Sequence, residues 1–303
     1  MADIKLFEVN KKVHELRSFS FDLEVNLQRL VESNMLVFFG IDFVASEHSF
    51  NGGRIDSLGI DENNCPVIFE YKRSINENVI NQGLYYLEWL LDHKADFELL
   101  ILKKYGEERA QNIEWRNPLV YCIANKFTKY DVNAVKQMQR NIYLIEYTRF
   151  EQDLVVFDFL NLDLKLHNIT KSESIEGSKI KKNWRTVEER MDTLRPTLKP
   201  ILEDLRKYIL ALGDDITEII LKQYIAYKKS RNVITVDLTN EKIQIYLHLN
   251  PEVINLEKGF SRDMRGIGHF GTGNVEVVIQ SSEDFNRAKK LIDQAYNENW
   301  LLI

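Results

Sequence analysis

The 303-residue chain has little cysteine, no excess of positive charge and no long uninterrupted apolar run. Its two cysteines, Cys65 beside a turn and Cys122 within an apolar run, are too few for a disulfide framework or a cysteine zinc site. The cytoplasm is the expected compartment. The opening stretch MADIKLFEVNKKVHELRSF mixes charged and apolar residues and has neither the apolar core of a signal peptide nor that of a membrane span. This argues against a membrane-spanning transporter, and no membrane partner is expected. A formal net charge of -6 excludes coating of nucleic acid through bulk positive charge, because that mode neutralises many phosphates. Any such contact has to be a local basic groove. No repeat of solenoid length is visible.

What is present suffices for a folded core: 44% hydrophobic and 28% charged residues over this length predict an ordinary soluble globular protein of two domains, and the run of helices and strands along the chain makes it α/β. Leu23, Leu27, Leu30 and Val31 recur at helical spacing, so a helix is expected over 21–33. Strands are expected at Ile41–Ser46, Arg54–Ile60 and Val67–Lys72, with Asp61–Asn64 as the turn between the last two. The apolar runs Met35–Phe39 and Leu154–Phe157 suit buried strands. A helix over 76–93 follows, with Ile80, Leu84, Leu87 and Leu91 on one face, and Phe97–Leu102 reads as a buried strand. The order is α, β, β, β, α, β. Further strands are expected at Pro118–Ala124, Ile142–Tyr147 and Leu154–Phe159, around a helix at Tyr130–Arg140.

Residues 167–183 lose apolar periodicity and gather Ser, Gly and Lys, as a linker does. The expected organisation is a first domain over 1–166, a linker over 167–185 and an α+β domain over 186–303. In the latter, Leu198–Leu212 and Asp215–Tyr227 read as helices and Val233–Leu238 with Lys242–Leu249 as a hairpin. Val275–Ile279 reads as a strand before a closing helix near Glu283–Asn297.

Alternation along VIFEYK puts Ile68, Glu70 and Lys72 on one strand face and Val67, Phe69 and Tyr71 on the other. A hairpin loop centred on Asn63 sets Asp56 opposite Glu70 on that face. Two carboxylates and a lysine then converge. Facing anions repel unless a cation sits between them, and Mg²⁺ or Mn²⁺, with the Tyr71 carbonyl as a further ligand, is the natural occupant. Lys72 would orient or deprotonate a water, or stabilise charge on a phosphate. The plainer alternative is that these charges are the solvated face of a half-exposed hairpin. Against it stands the apolar company of Glu70, which reads as a central strand where charge is expensive.

These residues carry a resemblance. GGRIDSLGIDENNCPVIFEYKRS followed by NENVINQGLYYLEWLLDH resembles the core of PD-(D/E)XK nuclease-like proteins and is similar in layout to the NucS/EndoMS mismatch endonucleases. The resemblance spans about residues 20–103. It implies a restriction-endonuclease-like mixed sheet flanked by helices, with Asp56, Glu70 and Lys72 at the reaction centre and Ile55 where the family name has proline. Gln82 matches the position on the following helix. Glu24, in FDLEVNLQRLVE, best matches an acid on the first helix, with Glu32 and Glu47 as competitors.

The second half resembles a small domain of unknown function that often follows such nuclease-like domains, in pairings sometimes labelled transport proteins. Gly266, Gly268 and Gly271 spell G-x-G-x-x-G, but a strand follows where a dinucleotide site requires a helix, so they read as a strand connection. His269 with Arg262, Arg265, Tyr224, Tyr227 and Lys228 reads either as a recognition surface or as an ordinary polar loop beside a helix. The run Lys179–Arg185, with Trp184, reads either as a strip whose Lys182 and Arg185 follow a phosphate backbone or as solvated linker.

The expected function is Mg²⁺- or Mn²⁺-dependent hydrolysis of DNA phosphodiester bonds. Asp56, Glu70, Tyr71 and Glu24 would serve the metal, Lys72 and Gln82 the chemistry, and Arg54, Lys182 and Arg185 the substrate. A homodimer is expected because two strands need two cuts. The alternative is a non-catalytic nucleic-acid-binding or protein-interaction module on the same scaffold.

Overall fold

The computed structural model describes residues 4–9, 12–72, 79–138, 140–161, 185–229 and 231–298. Contacts divide the chain into two compact units. The first comprises Met1–Ile60, Pro66–Gln111 and Pro118–Asn161, and the second comprises Asp61–Cys65, Asn112–Asn117 and Leu162–Ile303. The expected linker over 167–183 lies outside the described residues.

The first unit opens with a two-stranded ribbon, β1 (Phe7–Val9) and β2 (Val13–Glu15), then β3 (Ser18–Phe19) and α1 (Glu24–Phe39). Next come β4 (Ile41–Phe50), β5 (Gly53–Asp61) and β6 (Pro66–Lys72), then α2 (Val79–Asp92), α3 (Lys94–Tyr105) and α4 (Glu107–Gln111). β7 (Leu119–Ala124), α5 (Lys129–Gln137), β8 (Ile142–Phe150) and β9 (Leu154–Phe159) complete it. The strands form a curled, mixed seven-stranded sheet in the order β3-β8-β7-β6-β5-β4, with β9 also on β8. β5 and β6 are antiparallel, whereas β6, β7 and β8 run parallel.

Each sheet face receives a helix, and the strand alternation decides which residues meet it. Phe39 of α1 packs on Phe69 and Tyr121, both at 5.8 Å between ring centroids, and on Phe157 and Phe159. Glu70 and Lys72 belong to the opposite face, which α2 approaches through Gly83. A Cβ on Gly83 would lie 2.6 Å from Val120 Cγ1 and 3.6 Å from Cys122 Sγ, and Cys122 is the register partner of Glu70.

Two apolar runs expected as strands are helical. Met35–Phe39 finishes α1, because the buried positions Leu27, Val31, Met35 and Phe39 keep a four-residue spacing while Leu36 and Val37 are exposed. Gly40, with φ 68°, then stops the helix, and its N–H caps the Leu36 carbonyl at 3.0 Å. Phe97–Leu102 lies in α3, which buries only Phe97 and Ile101 and leaves Leu99 and Leu102 exposed. Three helices therefore separate β6 from β7 where one was expected.

The second unit contains α6 (Val187–Thr193), α7 (Lys199–Leu210), β10 (Thr217–Ile220), β11 (Ile225–Lys228), β12 (Asn232–Thr239) and β13 (Lys242–Leu247). A short 3-10 turn at Pro251–Val253 leads to β14 (Ser261–Asp263), β15 (Val275–Ile279) and α8 (Ser282–Glu298). Its six strands form an antiparallel sheet in the order β10-β11-β12-β13-β15-β14. Ile234, Val236, Ile243, Ile245, Val275 and Val277 are buried in one core with residues of α7 and α8. The expected helix at Asp215–Tyr227 is instead the hairpin of β10 and β11. Its Ile and Thr residues fit a pleated, half-buried surface, and Leu221 N–H donates to the Tyr224 carbonyl across the turn.

Gly83→Val is expected to destabilise the protein by about 2 kcal/mol, because Val120 is buried in the sheet and has no room to yield. The urea midpoint measures it. An unchanged midpoint would mean that α2 does not depend on this close approach.

Candidate active site

The β5–β6 hairpin is set by its turn. Asp61 Oδ1 accepts from the backbone N–H of Asn63 at 2.9 Å and of Cys65 at 2.8 Å, and Asn64 adopts φ 60°, a value that asparagine tolerates. The ladder pairs Ser57 with Phe69 through Ile60 with Pro66. Carried one pair further, the same register sets Asp56 opposite Glu70, as the loop centred on Asn63 predicts.

Asp56 Oδ2 accepts the backbone N–H of Tyr71 at 3.1 Å, and the Asp56 carbonyl accepts from Gln28 Nε2 of α1 at 3.0 Å. Glu70 is 1% exposed. Its Oε1 accepts from Lys72 Nζ at 3.3 Å, whereas its Oε2 is buried without a hydrogen-bond partner. Lys72 Nζ also lies 3.5 Å from Glu24 Oε1, at the first residue of α1. The expected triad of Asp56, Glu70 and Lys72 is thus assembled, with Glu24 at its edge.

Burial, and then the charge of Asp56, push the Glu70 carboxyl up to about 8. Burial also raises Asp56, against the pull of the Tyr71 N–H and of Lys72. Burial alone would lower Lys72, but Glu70, Glu24 and Asp56 together hold its ammonium above the usual value. The site is therefore a pair of reluctant anions beside a firmly protonated lysine.

The three acids left open by the sequence make different contacts. Glu32 Oε1 accepts from Ser57 Oγ at 2.6 Å and from Gln28, and Glu47 pairs with Arg54 at 2.5 Å. Glu24 is the one that meets Lys72. Arg54 is a half-exposed residue of β5 held by that ion pair. Gln82, on α2, keeps its Oε1 buried without a partner. The Tyr71 side chain is buried on the far face, and its backbone joins the site through its N–H. Arg185 is exposed just before α6, and Lys182 lies outside the described residues.

Sequence reasoning missed Tyr86. Burial, followed by the charges of Glu70 and Asp56, raises its hydroxyl, against a hydrogen bond with the Arg54 backbone. The signal was available, because Tyr86 is four residues after Gln82 and shares its helix face.

The residues considered as a recognition surface in the second half are engaged within the chain. Lys228 is buried in an ion pair with Asp61 at 3.1 Å, and the Tyr227 hydroxyl donates to Glu218 at 2.8 Å. Arg262 pairs with Glu276, and Arg265 with Asp263 and Glu252. Gly266, Gly268 and Gly271 lie in the connection between β14 and β15, as expected. No helix among the described residues is long and apolar enough to cross a membrane.

A family profile described as a domain of unknown function, DUF5655, matches residues 187–299. An uncharacterised protein of Haemophilus influenzae is 29% identical over 97% of this chain and 100% of its own length. Among solved structures, a repair endonuclease from Pyrococcus abyssi aligns at 13% identity and TM-score 0.28, over 47% of this chain and 65% of that one. A complex of EndoMS with double-stranded DNA aligns at 15% identity and TM-score 0.28, over 47% and 64%. The chain thus spans just under two thirds of these endonucleases. The likeness to them is weak, so the reading of the site rests on its own geometry.

The raised Glu70 carboxyl makes stability depend on pH. The folded protein keeps this proton up to about 8, whereas the unfolded chain releases it near 4.5. The contribution is complete below the lower value and is lost as pH rises through the upper one. Chelator-treated protein is expected to lose on the order of a few kcal/mol between these limits, and Glu70→Gln should flatten the dependence. Denaturant midpoints across the range measure both. A native profile that rises with pH, or a mutant with an equal slope, would contradict the assignment.

Proposed function

We propose that the first unit is a divalent-metal-dependent phosphodiesterase acting on DNA, with Asp56 and Glu70 as metal ligands. The observation that carries this reading is Glu70: a nearly inaccessible carboxyl in a central strand whose charged form faces a second carboxyl and leaves one oxygen with no donor. A buried polar atom without a partner is costly, and a hard cation between two carboxylates removes both that cost and the repulsion. Among the described residues no group of three or more His, Cys, Asp or Glu side chains is arranged around one ion. Two carboxylates, the Tyr71 carbonyl, water and a substrate phosphate are the ligand set such a site offers, which suits Mg²⁺ or Mn²⁺. When bound, the ion supplies Lewis-acid stabilisation of charge on the phosphate.

Lys72, held protonated by its carboxylate neighbours, donates to a phosphate oxygen and stabilises the charge that develops there; it does not serve as the base. Glu24 orients the ammonium through its 3.5 Å contact. The Gln82 carbonyl and the Tyr86 hydroxyl position water or substrate from the α2 side. DNA as substrate follows from the likeness of the Asp56 and Glu70-x-Lys72 layout to nucleases. A homodimer would supply the second cut.

A competing reading, a binding module without catalysis, is favoured by one observation: Lys72 and Glu70 already form an ion pair at 3.3 Å. Incubation of supercoiled plasmid and mismatched duplex with Mn²⁺ or Mg²⁺ separates the two. Cleavage abolished by EDTA, and reduced roughly 10²-fold or more in Lys72→Met, is expected. Metal-indifferent absence of cleavage would leave the binding module.

Melting curves give an independent check. Native protein should gain melting temperature as Mn²⁺ is added, by mass action. Above about pH 8, where both carboxyls are charged, Asp56→Asn should melt no lower than the native protein without metal, since a repulsion is relieved, and it should lose the Mn²⁺ response. A destabilised Asp56→Asn beside a metal-indifferent native protein would show that Asp56 serves structure.

A further inference from the structure

The turn that closes the β5–β6 hairpin is buried, which hairpin turns seldom are. Connections run over the surface because a buried loop carries polar groups that all need partners, and the β8–β9 turn at 151–153 is exposed in that way. In the β5–β6 turn, Asp61, Asn63 and Cys65 are each at most 3% exposed. By its contacts the turn, Asp61–Cys65, belongs to the second unit, although it is the tip of a hairpin whose strands belong to the first.

The turn finds its partners within that unit. Asp61 Oδ1 serves the N–H groups of the turn itself, and Oδ2 accepts from Lys228 Nζ of β11 at 3.1 Å, an ion pair whose side chains are 1% and 4% exposed. Asn63 and Asn232, the first residue of β12, exchange side-chain amide hydrogen bonds at 3.1 and 2.6 Å, and the Tyr224 hydroxyl donates to Asn63 Oδ1 at 2.9 Å. Glu62 accepts the backbone N–H of Asn232. Cys65 packs with Ile219, Leu221 and Ala226.

We propose that the second unit acts as a clamp on this turn, with Lys228 and Asn232 as positioning residues that hold Asp56 opposite Glu70. Both contact the turn and act through it. The reason is register. A buried network of paired polar groups accepts one arrangement where apolar contact would tolerate several, and a buried ion pair is best attested in that role. A slip of β5 against β6 by one residue would take Asp61 away from Lys228 and leave an ammonium buried without its carboxylate, a strongly destabilising state. The same slip would turn Asp56 to the sheet face opposite Glu70, because side chains alternate along the strand. The inference rests on the phosphodiesterase reading for its chemical consequence, and it gives the second unit a part in that site.

The test is hydrogen exchange of the full-length protein in EDTA, read by NMR at the Tyr71 amide, whose acceptor is Asp56, and at the Ile245 and Val277 amides, which are paired in the second sheet. Lys228→Met and Asn232→Ala should speed Tyr71 exchange roughly tenfold, as the loss of one hydrogen bond allows, and should weaken Mn²⁺ binding by a similar factor, while Ile245 and Val277 keep their native rates. Tyr224→Phe, which keeps the ring and deletes only its bond to Asn63, should fold as the native protein does and show the same shift in smaller measure. Native exchange at Tyr71 in Tyr224→Phe and in whichever of the other variants folds would overturn the proposal. So would equal acceleration at Tyr71, Ile245 and Val277, which is what a purely structural role gives. The exchange readout needs neither metal nor substrate, so the two readings separate. A Tyr71 shift in a protein that binds no Mn²⁺ removes the phosphodiesterase and leaves the clamp, whereas metal-dependent cleavage with an unmoved Tyr71 amide does the reverse.

Discussion

The first unit is organised around the burial of two facing carboxyls on the β5–β6 hairpin. Placing Glu70 in a strand paired on both sides, with α2 above it, removes water that would otherwise solvate its charge. Lys72 returns part of that loss to Glu70, as the Tyr71 N–H does to Asp56, and no donor reaches the other Glu70 oxygen. An uncompensated polar atom of this kind is a standing penalty of roughly 1–3 kcal/mol. The surrounding structure holds it in place from several directions: Gln28 ties β5 to α1 behind Asp56, and Gly83 brings α2 down onto the strand beside Glu70. A fold that maintains such a penalty so rigidly is consistent with a site whose missing partner is a ligand.

How much of this was legible in the sequence differs by element. The hairpin was, because a turn of known chemistry fixes the register and strict alternation fixes the faces. Asp56, Glu70 and Lys72 follow from those two facts alone. The helices were less so. Met35–Phe39 and Phe97–Leu102 are short apolar runs, and such a run fits a buried strand as well as the inner stripe of a helix. Only the longer phase, with Leu27, Val31, Met35 and Phe39 in step, distinguishes them. The choice among Glu24, Glu32 and Glu47 depended on the rotation of α1 and the pairing of β4, which no local pattern encodes. Tyr86 was overlooked for a different reason. It sits among apolar neighbours, where an aromatic reads as core.

In the second unit the residues that looked functional serve its own construction. A Cβ on Gly271 would lie 2.4 Å from Thr235 Oγ1, and one on Gly273 would lie 2.8 Å from the Tyr246 carbonyl carbon. Both have positive φ, so these glycines lay the β14–β15 connection directly onto the sheet. Lys228, Arg262 and Arg265 are committed to Asp61, Glu276 and Asp263. Charge that reads as a contact surface in one dimension is internal pairing in three.

A chain of net charge -6 whose candidate centre is itself two carboxylates meets a polyanion at an electrostatic disadvantage. On the proposed reading, a cation held by the carboxylate pair would offset that disadvantage, because it would relieve their repulsion and reverse the local sign where a phosphate has to come close.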